Sequence, residues 1–105
     1  MLNLLKFDGA DGEKVYNEQY GLPATQFVKR VGGRVLWTGS VDQVLAGNSH
    51  RDDWDAVILV SYPSRQALID MMKNPAYQDI HVHREAGLAD TALIALSEQM
   101  RDLGQ

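Results

Sequence analysis

The feature that most constrains this chain is a strand-like run that is apolar on both sides. Read as a strand, Trp54–Tyr62 puts Trp54, Ala56, Ile58, Val60 and Tyr62 on one face and Val57 and Leu59 on the other, because successive side chains alternate. The first strand, Met1–Phe7, and the last, Leu88–Leu96, also carry apolar residues on both faces. Such strands need cover on both sides. The chain has 105 residues, which suits one domain spanning 1–105. A single layer of helices shields only one face of its sheet. The economical cover for the other is a second copy, so the pattern predicts a homodimer joined through its sheet faces.

The remaining elements follow from local signals. Val15, Tyr16, Tyr20, Ala24, Phe27, Val28 and Val31 recur at helical spacing, with Asp11 as a candidate N-cap and Gly32 as the stop. Pro23 beside Gly21 predicts a kink, or two segments meeting near residues 21–23. Gly33–Gly39 reads as a strand that bends at Gly39-Ser40 and continues over Val41–Ala46. A polar turn over Gly47–Asp53 then leads into Trp54–Tyr62, making an antiparallel hairpin. Ser64 caps a short helix over Arg65–Lys73. Asn74-Pro75 caps another, which ends at Gly87, and residues 98–105 form a polar tail. Strand, helix, strand, strand, helices, strand is the βαββαβ order of a ferredoxin-like α+β fold with a four-stranded antiparallel sheet. Its inner strands are the first and third.

Composition narrows function mainly by exclusion. There is no cysteine, hence no disulfide, thiolate metal site or cysteine nucleophile. The net charge of -4 argues against a nucleic-acid surface. No apolar run approaches the ~20 residues of a membrane span. The amino terminus lacks a signal-peptide pattern, so the expectation is a cytoplasmic protein. Gly32-Gly33 follows a helix rather than opening one, unlike a phosphate cradle, and there is no Gly-x-Ser-x-Gly elbow.

Several motifs in order, Asn3–Phe7, Tyr20, Gly32–Gly39, Trp54-Asp55, Tyr62–Arg65, Asn74–Gln78 and Arg84, resemble the family called domain of unknown function 1330. The resemblance covers nearly the whole chain. It implies the dimeric α+β barrel superfamily, in which a ferredoxin-like monomer packs its sheet on a partner's. That superfamily includes cofactor-light monooxygenases and isomerases, haem-degrading proteins and members with binding or regulatory roles.

Few residues are left to carry chemistry. Arg84 shares an inward helical stripe with Tyr77 and Ile80 and can hold a carboxylate or enolate oxygen. His83 beside it can move a proton, or can simply be a surface histidine. Asn3 is an amide in an apolar strand and must meet backbone, water or a ligand. Tyr20, Trp37 and Tyr62 offer flat walls with polar tips, suited either to a planar ligand or to packing. His81 and His83 diverge on a helix, so no shared metal site is expected. His50, Asp52, Asp53 and Asp55 read as a solvated turn, with Asp55 a candidate partner for Arg34 or Arg84. Together these residues predict a small-molecule-binding protein. It would be a cofactor-independent oxygenase- or isomerase-like enzyme, with catalytic His83 and Arg84 and substrate-binding Asn3, Tyr20, Trp37 and Tyr62. The alternatives are a non-catalytic ligand-binding, structural or stress-associated homodimer, and a haem-handling protein with His83 facing an open pocket.

Overall fold

A computed structural model describes residues 1–47 and 54–98. β1 (Leu2–Phe7) runs into α1 (Gly9–Val15). A π-helical segment (Tyr16–Gly21) then leads without a break into α2 (Leu22–Arg30). β2 (Arg34–Ser40) and β3 (Ala56–Ser61) follow, then α3 (Arg65–Lys73), α4 (Pro75–Gly87) and β4 (Leu88–Ile94). The sheet order is β2-β3-β1-β4, every pairing antiparallel, with β1 and β3 inside. This is the ferredoxin-like α+β order read from the sequence.

Cross-strand register sorts the sheet into two faces. On the helix side one row runs Thr38, Ile58, Asn3, Leu93 and the next Ser40, Ala56, Leu5, Thr91. On the open side the rows are Trp37, Leu59, Leu2, Ile94 and Gly39, Val57, Leu4, Ala92. Helices cover the first face, and Leu5, fully buried, is its centre with Tyr16, Tyr20, Val28, Val60, Met71 and Tyr77 around it. Among the described residues no helix packs on the second face, and the fold is only 18 Å across its thinnest direction. Trp37 is 58% exposed there.

Two segments meet at residues 21–22 as expected: the π turn ends at Gly21 and leaves Pro23 in the first turn of α2, where its missing N–H costs little. Two other local outcomes differ from expectation. β2 ends at Ser40 rather than continuing over Val41–Ala46, although the Val41 N–H still donates to the Asp55 carbonyl at 2.8 Å. The helix starts at Gly9 after Asp8, so Asp11 lies in its first turn instead of capping it. The caps of α3 and α4 are as read. Ser64 Oγ accepts the Ala67 N–H at 3.1 Å, and Asn74 Oδ1 accepts the Ala76 N–H at 2.9 Å. His50, Asp52 and Asp53 lie outside the described residues, as do residues 99–105 of the polar tail.

α1 and α4 meet through two glycines. A Cβ on Gly12 would stand 2.8 Å from the Gly87 carbonyl oxygen, and a Cβ on Gly87 would stand 2.7 Å from that of Gly12. Only glycine allows this approach. It brings Tyr16, at the start of the π segment, against α4.

Candidate functional site

All four tyrosines of the chain gather on the helix side of the sheet. Tyr16 and Tyr20 are one turn apart on the π segment, their ring centroids 5.3 Å apart. Tyr20 meets Tyr77 of α4 edge-on at 6.1 Å, and their hydroxyls are 2.7 Å apart. Phe7 and Phe27 close the aromatic run at either end, 5.6 Å from Tyr16 and 5.8 Å from Tyr77. Tyr62 follows β3 on the same face. A cavity of about 70 Å³ lies here, walled by Asn3, Tyr16, Tyr20, Tyr62 and the apolar side chains of Ala24, Val28, Val35, Ile58 and Val60. A buried water needs roughly 10–15 Å³ of such volume, so the space takes several waters or a small ligand group.

Burial governs the electrostatics. It pushes the Tyr16 and Tyr62 phenols up to about 12, and Tyr20 further in the same direction, because the phenolate is poorly solvated there. The hydrogen bond and proximity of Tyr77 add to the rise at Tyr20. The Arg84 guanidinium opposes it at Tyr16, Tyr20 and Tyr62 alike, so its positive charge bears on the whole cluster. Arg84 is held from the sheet side. Its Nη2 donates to Thr91 Oγ1 at 3.2 Å, and that hydroxyl donates to the Leu4 carbonyl at 2.9 Å.

The six expected site residues fall into three groups. Asn3, Tyr20 and Tyr62 share the cavity wall. The Asn3 amide makes only a long contact, 3.5 Å, to the carbonyl of its cross-strand neighbour Ile58. Arg84 and His83, both half-buried on α4, line neither this cavity nor the cleft described below; Arg84 bears on the cluster through its charge alone. Trp37 is not brought to the cavity. A β-bulge between Val35 and Trp37 turns Val35 toward the helices and Trp37 to the open face. There the indole lies over Gly39, where a Cβ would collide with the ring.

Neighbouring side chains settle other pairings. His81 Nδ1 is 3.2 Å from Glu85 Oε1, and its ring packs 5.7 Å from Tyr77. Asp55 Oδ2 accepts the Phe7 N–H at 2.8 Å rather than pairing with Arg34 or Arg84. Among the described residues no group of three or more His, Asp or Glu is placed to hold a metal ion. No described helix is long and apolar enough to cross a membrane.

A larger cleft of about 930 Å³ opens beside the cavity, between α1 and the β2–β3 edge, and shares Tyr16 and Ile58 with it. Sequence reasoning left Tyr16 and Tyr77 out of the site. The four-residue spacing of Tyr16 and Tyr20 was the available signal for the first. The cleft's Thr38 and Ser40 had none, since their facing depends on the bulge.

Comparison with known proteins bears on family and fold. The family model described as a domain of unknown function (DUF1330) matches residues 6–98. Among solved structures, the RPA0582 protein of unknown function from Rhodopseudomonas palustris is 31% identical, with a TM-score of 0.83 over 95% of this chain and 81% of that one. Its methylated form matches at 30% identity and a TM-score of 0.82, over 94% and 78%. At3g17210 from Arabidopsis thaliana shares the fold, with 14% identity and a TM-score of 0.66 over 97% and 96% of the two chains. The search of curated proteins gave no match.

Proposed function

The chain belongs to the DUF1330 family, and we propose that it works as a cytoplasmic homodimer, sheet against sheet, binding a small planar or anionic molecule at the tyrosine cluster of each protomer. The observation that carries the binding reading is the joint placement of a cavity, an under-used Asn3 amide, and the Arg84 charge among phenols held neutral. An anionic oxygen entering there would meet the guanidinium field and the Tyr62 and Asn3 donors in a partly desolvated setting, where such contacts are strong. Neutral phenols donate hydrogen bonds and present flat faces to a planar ligand.

The dimer reading draws on the open sheet face. Its rows Trp37, Leu59, Leu2, Ile94 and Val57, Leu4, Ala92 form an apolar surface that water would otherwise cover. As an enzyme, the protein would need no organic cofactor. Arg84 would stabilise an enolate-like oxygen through its charge, and His83, outside the cavity wall, would relay the proton through water. A non-catalytic reading is favoured by one contact: the Tyr20 and Tyr77 hydroxyls already satisfy one another.

Thermal shift with 4-hydroxybenzoate and a naphthoquinone as probes tests binding, since a ligand of the native state raises the midpoint by mass action. The wild type should shift with 4-hydroxybenzoate, and Arg84→Gln should lose most of that shift while remaining folded. Equal shifts in both proteins, or none in either, would contradict the site. Once a probe is turned over, Arg84→Ala and His83→Gln should abolish turnover in a folded dimer. Unchanged turnover rejects the catalytic roles and leaves the binding reading.

A further inference from the structure

The cleft beside the tyrosine cavity has the opposite chemical character. Its volume, about 930 Å³, is at the upper end of the 300–1,000 Å³ typical of small-molecule sites. Phe7, Ala56 and Ile58 make a half-buried apolar floor. Glu13 and Asn17 stand on the helix side, Thr38 and Ser40 on the strand side, and Asp55 at the end. Among the described residues lining it, none is lysine, arginine or histidine. Two carboxylates over a low-dielectric floor, with no cation among the described walls, make a negative field.

Asp55 is rigidly presented. Its N–H donates to the Leu5 carbonyl at 2.8 Å, and its carbonyl accepts the Val41 N–H at 2.8 Å. Its own Oδ2 accepts the Phe7 N–H at 2.8 Å. The backbone of Asp55 is thereby held on both sides and one carboxylate oxygen is fixed by the Phe7 N–H, which lowers the entropy lost on binding. Thr38 and Ser40 face the cleft because the bulge at Val35/Trp37 resets the parity of β2.

We propose that this cleft is a binding site for a small amphipathic amine, its apolar body on Phe7, Ala56 and Ile58 and its ammonium group between Glu13 and Asp55. Asn17, Thr38 and Ser40 supply further oxygen acceptors for the ammonium hydrogens. The site adjoins the tyrosine cavity, sharing Tyr16 and Ile58 with it, but favours the opposite charge.

The probe is phenethylamine, titrated by amide NMR against 2-phenylethanol and 3-phenylpropionate, which keep the aromatic ring and change the charge. The expected result is saturable shifts at Asn17, Thr38, Ser40 and Asp55 with the amine, and binding weaker by about tenfold or more for the other two. Glu13→Gln and Asp55→Asn should each weaken the amine by a similar factor. Asparagine still offers an oxygen to the Phe7 N–H, and exposed Glu13 can change without loss of fold. Arg84→Gln should leave amine binding unchanged. Absence of saturable shifts at these residues, equal affinity for the acid or alcohol, or indifference to both carboxylate variants would overturn the proposal.

Discussion

The Tyr20 hydroxyl lies 2.7 Å from the Tyr77 hydroxyl, linking the π segment to α4 inside the core. Both rings are almost fully buried, at 9% and 4% exposure. Replacing either with phenylalanine leaves the other hydroxyl without its partner, at a cost of about 1–3 kcal/mol. Replacing both removes the orphan. Tyr20→Phe and Tyr77→Phe should therefore each destabilise, and the double variant should lose less than the sum. Urea denaturation of the three variants measures this coupling.

The glycine crossing predicts a second, purely steric effect. Gly12→Ala and Gly87→Ala each press a methyl group onto the facing backbone carbonyl, which cannot rotate away as a side-chain end can. Each should cost about 1–3 kcal/mol in thermal or chemical denaturation. The second alanine should cost less than the first, because helices already pushed apart accommodate it.

Alkaline pH should destabilise the fold before it reaches the native phenols. Tyr16 titrates near about 12 in the folded chain against 10.0 when exposed. Its contribution is complete below pH 10 and is lost as pH rises from 10 through 12, because the unfolded chain gives up its proton first. For Tyr16, 5% exposed, the effect is on the order of 2 kcal/mol. Tyr62, also raised to about 12, acts in the same direction. Denaturation midpoints measured from pH 8 to 12 should fall above 10, and Tyr16→Phe should flatten that fall.

What could be read from residue order and what could not divides along locality. Ser64 and Asn74 act as caps through bonds to residues two and three positions on, so their role is visible in a short window. The strand order follows from where the apolar runs lie. Trp37 is the counter-example. Strict alternation puts it on the face of Val35, and a single-residue bulge against β3 reverses it. The π turn likewise depends on packing against α4, which no window around Pro23 contains. Of the six expected site residues, Asn3, Tyr20 and Tyr62 meet at the cavity because strand parity and helical spacing carried them there. Arg84 is tied to Thr91, a partner in β4 that helical spacing does not reveal.

The open sheet face, with Trp37, Leu59, Leu2 and Ile94 in one row, should be buried against a second copy. Sedimentation equilibrium at micromolar concentration tests it most directly, on the wild type and on Leu59→Asp, whose charge would fall in the middle of that row. The wild type should sediment with twice 11.7 kDa and the variant with the single-chain mass. A wild type that sediments as one chain of 11.7 kDa would contradict it.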